Sequence, residues 1–192
     1  MGLAGQTVAE LDMPVLNYFD ETYTINITID ETPTAMAAII DTAMSDSVIE
    51  TTTCTDCAAG TIDTSSGAGG LSVTATAATG SINNPESTYE GFEGTATLCI
   101  YADGDYSTPP TSVNIATMPC IQNANLHFAD TVATPNADAV AYLGMALGNG
   151  ADSDGNTPDS TDLIMNQFET AGKIDAASKV FGIGILADNG IG

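Results

Sequence analysis

The sequence has no arginine, no tryptophan, a single histidine (His127) and two lysines (Lys173 and Lys179), against 25 aspartates and glutamates. The resulting formal charge of −23 repels the phosphates of nucleic acid and the anionic face of a membrane, so neither is expected as a partner. Carboxylates in such excess are better tolerated in salt, which screens them, or in acid, which protonates them. No stretch comes near the ~20 consecutive apolar residues that a membrane-crossing helix needs. The start, Met1 to Gly5, lacks the basic and apolar regions of a signal peptide, which is therefore expected to be absent or already removed. A zinc site would need more soft or imidazole ligands close to the cysteines, and His127 is the only histidine; no metal or cofactor is expected.

What is present argues for a packed domain. The 192 residues are 43% apolar with a mean hydropathy of +0.11, enough for one core, and residues 1–192 are read as a single domain. Nineteen glycines, abundant threonine and short Val/Ile runs broken by turn residues favour strands over long helices, so the fold class is mainly β. Cys54, Cys57, Cys99 and Cys120 allow three pairings; Cys54 with Cys57 and Cys99 with Cys120 is favoured. Thr51, Thr52 and Thr53 lead into the first pair as a strand would, and a redox Cys-x-x-Cys needs a helix N-terminus instead. Structural disulfides point to an oxidising compartment, hence to a secreted or extracellular protein.

Along the chain, Tyr23 to Ile29 alternates with the period of a strand that buries one face, and Asp30 to Pro33 makes a turn. Ala37 to Ile40 reads as a buried strand ending on Asp41. A carboxylate there needs hydrogen bonds, a shared proton or an exit to a cleft, because burying it ionised and unpaired is costly. Residues 58–84, rich in Gly, Ala, Ser and Thr, are expected to be a mobile insertion. Residues 95–101 and 112–116 form a predicted hairpin about Asp103-Gly104-Asp105, residues 140–148 a buried segment, and residues 179–186 a last strand. A short helix is predicted near residues 159–171, starting at Asp159 or Ser160 and stopping at Gly172. Asn26-Ile27-Thr28 is a glycosylation sequon inside a predicted strand, a weak acceptor at Asn26. Asp152 to Asn156 departs from a calcium loop, with Thr157 and Leu163 where glycine and glutamate are required. His127 and the methionines Met36, Met118, Met145 and Met165 read as structural residues of the core.

Taken in order, these segments resemble the N-terminal lobe of the pepsin-like aspartic proteases over nearly the whole chain. Ile25-x-Ile27-x-Ile29 followed by Thr32-Pro33 is similar to that family's opening strands and Gly-Thr-Pro turn. Ala38-Ile39-Ile40-Asp41-Thr42-Ala43-Met44-Ser45 stands where the family has a hydrophobic run and Asp-Thr-Gly-Ser-Ser. Asn84-Pro85-Glu86-Ser87-Thr88-Tyr89 resembles its Pro-x-x-Ser-Ser-Thr-Tyr stretch, and Tyr101-Ala102-Asp103-Gly104-Asp105 resembles its flap tip. Tyr142-Leu143-Gly144-Met145 resembles the Ile-Leu-Gly-Leu strand that threads behind the active-site loop. The resemblance implies a pepsin-like single lobe in which Asp41 is one member of a catalytic aspartate pair, Thr42 a buried supporting hydroxyl and Tyr101 the flap residue over substrate.

The departures fall on the chemistry. Ala43 replaces a glycine, and Met44 replaces the serine whose hydroxyl holds the catalytic carboxylate. Val48 stands at the approximate place of a tryptophan, and no second Asp-Thr/Ser-Gly occurs. Proteolysis in that family needs two aspartates sharing one proton about a water. The expected function is therefore a non-proteolytic structural or self-assembling extracellular subunit, of a filament or coat, with copies of itself as partners. Two alternatives are half of an aspartic endopeptidase, completed by a second lobe or a homodimer, and a pseudoprotease that binds peptide in its cleft.

Overall fold

The computed structural model describes residues 15–18, 22–30, 35–57, 62–65, 71–83, 86–100, 115, 118–137, 139–146 and 163–175. They form eight strands and one helix: β1 (Leu16–Tyr18), β2 (Thr22–Ile29), β3 (Met36–Asp41), β4 (Val48–Thr55), β5 (Ser72–Asn83), β6 (Glu86–Ile100), β7 (Cys120–Val132), β8 (Ala141–Gly144) and α1 (Ile164–Thr170). The mainly β reading of the sequence holds.

All eight strands belong to one mixed sheet, in the order β1-β2-β3-β8-β4-β7-β6-β5. β2 also pairs with β6, Ile27 opposite Ile100 and Ile29 opposite Leu98. That contact closes β2-β3-β8-β4-β7-β6 into a ring of six, and closure satisfies backbone groups that an open sheet would leave at its edges. Outside the ring, β1 extends from β2 and β5 from β6.

The alternating isoleucines of β2 fill one cluster with Leu98, Leu126 and Phe128, onto which Ile164 and Phe168 of α1 also pack. A second cluster gathers Ile39, Met44, Val48, Ile82, Tyr89 and Tyr142. β2 takes part in three pairings, and its side chains are buried on both faces toward its end, where the alternation predicted one buried face. Thr24 and Thr28 are fully buried with Ile27 and Ile29, and their hydroxyls have no partner among the described residues. Met36, Met145 and Met165 are core residues, as read from the sequence.

β8 determines the site. It runs parallel to β3, with Ile39 opposite Tyr142 and Asp41 opposite Gly144, and antiparallel to β4, with Val48 opposite Tyr142. A strand from late in the chain thus lies between two strands adjacent in sequence, and the link between them, residues 42–47, must pass over its end. Such a central strand is screened from water on both faces, so an uninterrupted apolar run is what the position demands; Ala141 to Gly144 are all buried.

Three expectations are corrected. Residues 72–83, inside the expected insertion, form β5, paired with β6 from Ser72 opposite Thr95 to Asn83 opposite Glu86; small Thr- and Ala-rich residues suit an edge strand as well as a loop. The hairpin's return strand is β7, thirteen residues long, and Ile115, in the predicted return, lies in a turn. The helix begins at Ile164, because Leu163 is extended (φ −63°, ψ 121°) and has no side-chain cap. It stops where expected: Gly172 takes φ +68°, and Gly172 N–H and Lys173 N–H donate to the carbonyls of Glu169 and Phe168, a Schellman termination. The predicted strand 179–186 lies outside the described residues.

Candidate functional site

Asp41 ends β3 with 4% of its surface exposed. Its Oδ1 accepts the Ala43 N–H at 2.9 Å, and its Oδ2 accepts the Asn83 N–H, from the end of β5, at 3.1 Å. The main chain of the same residue is also held, since Met145 N–H donates to the Asp41 carbonyl at 2.8 Å and Ala146 N–H to that of Met44 at 3.0 Å. Residues leaving β8 therefore brace the loop leaving β3, while Gly144 N–H reaches Ser47 Oγ at 3.3 Å. Gly144 is required by the closeness of this crossing: a Cβ there would meet Ser45 C at 2.6 Å and would clash with the Asp46 carbonyl oxygen.

The loop is anchored a second time by side chains. Tyr89, 1% exposed, donates its hydroxyl to Asp46 Oδ2 at 3.2 Å and lies 2.6 Å from His127 Nδ1. His127 N–H in turn donates to the Ser47 carbonyl. Behind them, the Tyr142 hydroxyl accepts the Asn136 N–H at 3.1 Å and donates to Glu50 Oε1 at 3.5 Å. Its burial pushes the Tyr142 hydroxyl up to about 12; the Asn136 N–H pulls the other way, and the charge and hydrogen bond of Glu50 add to the rise.

This has a consequence at alkaline pH. An unfolded tyrosine ionises near 10, so the buried hydroxyl contributes stability that is complete below pH ~10 and lost as pH rises through about 12. The loss is on the order of 2 kcal/mol. Urea unfolding across this window is expected to show a steeper decline for the native chain than for Tyr142→Phe; equal slopes would refute the assignment.

No family model and no curated protein matches this chain. The geometry must speak for itself.

The structure brings together part of the site read from the sequence. Thr42 is exposed in the single chain; the cover that the resemblance implies for its hydroxyl comes from a second loop, and no second Asp-Thr/Ser-Gly occurs in the sequence. Ala43 is exposed too, so its methyl group meets no crowding. Where the resemblance implies a serine hydroxyl as donor to Asp41, Met44 stands, 3% exposed, and the Asn83 backbone N–H donates to Asp41 Oδ2. Tyr101 lies outside the described residues. Asn26 is half-buried within β2, opposite Ala37. Both expected cysteine pairs form, Cys54 with Cys57 and Cys99 with Cys120, which fits an oxidising setting.

Asn83, Asp46 and the Tyr89–His127 contact were not read as parts of one site. Asn83 acts through its backbone N–H, for which no side-chain pattern exists. Among the described residues no group of three or more His, Cys, Asp or Glu is placed to hold a metal. A groove of about 710 Å³ runs between the start of β7 and the end of α1, lined by Ile121, Asn123, Gln167 and Lys173 among others, and Asp41 is not part of its wall.

Proposed function

We propose that this chain is a non-proteolytic, extracellular, pepsin-like lobe that serves as a structural subunit assembling with copies of itself. The observation that carries the proposal is the state of Asp41. Both carboxylate oxygens are engaged by backbone N–H groups and almost nothing of the residue is open to solvent. A catalytic aspartate must present an oxygen to a water shared with its mate, and here the Asn83 amide stands at that oxygen.

The pepsin-like reading is supported by the placement of β8 between β3 and β4, Gly144 against the loop after Asp41, which is the threading that the resemblance implies for Tyr142-Leu143-Gly144. The extracellular reading is supported by the two disulfides and by the scarcity of Lys and Arg, which leaves few sites for trypsin-type cleavage. The acidic surface suits salt or acid.

Light scattering and electron microscopy of the purified chain are expected to find assemblies larger than one copy, with no cleavage of an unfolded protein substrate in mild acid. Asp41→Asn removes one acceptor from a pair of buried amides and is expected to cost about 1–3 kcal/mol of stability. Acid proteolysis that disappears in Asp41→Asn would establish the half-enzyme instead. Saturable peptide binding, indifferent to that substitution, would favour the peptide-binding alternative.

A further inference from the structure

The twelve residues of β5 include no charged side chain, in a chain of formal charge −23. Among the described residues β5 is paired on one side only, with β6. Among the described residues, Ser72 to Ile82 make no backbone–backbone bond outside that ladder; at the end of the strand the Asn83 N–H is taken by Asp41. The ladder with β6 is irregular between Val73 and Ala77 and regular from Ala77 onward. Within Ala77 to Ile82, alternate residues therefore turn N–H and C=O groups away from β6, and among the described residues no strand takes these up. Ala77 and Thr79 are exposed on this stretch, and Phe92, the exposed large hydrophobic residue among those described, at 39%, stands opposite Ala77 on β6. Register partners share a face, so the ring lies one strand in from the open edge, about 4.8 Å away.

Open edges are usually blunted by lysine, proline or an inward-pointing charge, and β5 has none of these. The charge pattern selects the partner. A cationic protein would be drawn to carboxylates anywhere on this surface and would gain nothing from a neutral strand. A second copy, equally acidic, is repelled least along this uncharged strand, with Glu90 opposite Thr79 and Glu86 opposite Asn83 on β6 as the nearby charges that salt must screen. An antiparallel pair of identical strands is also self-complementary about a two-fold axis.

We propose that Ala77–Ile82 of β5 is a homotypic docking edge, at which two copies add their β5 strands antiparallel and continue the sheet from one to the other, with Phe92 flanking the seam. The inference rests on the self-assembly reading above and names its contact. Sedimentation velocity of the full chain at increasing NaCl is expected to show a dimer that tightens with salt, as screening removes the repulsion between copies. Ala77→Glu sets like charges beside the seam, and Phe92→Ser removes its apolar flank. Each is expected to weaken the dimer at least tenfold while leaving far-UV circular dichroism unchanged. If the native chain associates and neither variant weakens it, this edge is wrong and assembly uses another surface. If the native chain stays monomeric at every salt concentration, both this inference and the assembly reading fall.

Discussion

Gly144→Ala is expected to lower stability by about 3 kcal/mol or more, or to prevent folding. Every close neighbour of the added methyl is main chain: the Asp46 carbonyl oxygen, and Ser45 C and O at 2.6 and 2.7 Å. A flexible side chain could swing aside, but these atoms belong to the loop that Met145 and Ala146 hold by hydrogen bonds. Relief would require β8 to withdraw from between β3 and β4, breaking both registers. Gly172 supplies the contrast. It has a left-handed backbone and nothing within 4 Å of an added Cβ, so Gly172→Ala meets only a conformational penalty of about 1 kcal/mol. Paired urea titrations should separate the two variants clearly. Equal, small losses would mean that the crossing of β8 beneath residues 45 and 46 is looser than described.

The same crossing explains how far the sequence could be read. Strand content, the cysteine pairs and the buried run at residues 140–148 were legible because each is a local pattern of composition or spacing. Asp41 stood out because a carboxylate ending an apolar run has to be accounted for. What closes over it was not legible. Asn83 contributes a backbone amide, and the Gly/Ala/Ser/Thr composition of residues 58–84 does not separate an edge strand from a loop. In β5 the decision is tertiary: Ala78 and Ile82 bury against the second cluster while the residues between them are exposed or half-buried. For Thr42 the expectation came from a two-lobed arrangement, and burial of its hydroxyl depends on a partner loop that this chain does not supply twice. The late start of α1 has a similar cause, since buried Leu163 fits the helical spacing of Ile164, Gln167 and Phe168 yet stays extended.

Loss of the Cys99–Cys120 bond is expected to cost about 3 kcal/mol. The two residues face each other at the ends of β6 and β7, with Cα atoms 4.0 Å apart, and both are buried, at 0% and 3% exposure. The cross-link spans a sequence separation of 21, so it withholds considerable freedom from the unfolded chain. It also ties off the base of the stretch that carries Tyr101. Cys54–Cys57 spans a separation of only 3, and the same chain-entropy argument gives it about 2 kcal/mol at most. It joins half-buried residues at the end of β4, where Thr55 is paired with Thr131 of β7 and the bridge itself ties no two strands together. A Cys99→Ala/Cys120→Ala double variant should therefore unfold at markedly lower urea than Cys54→Ser/Cys57→Ser, with each compared with the native chain under oxidising conditions. The reverse order would show that the β6–β7 ladder, ten register pairs long, holds its end without the covalent tie, and that the short bridge shapes the fold near residues 54–57 more than its loop length allows.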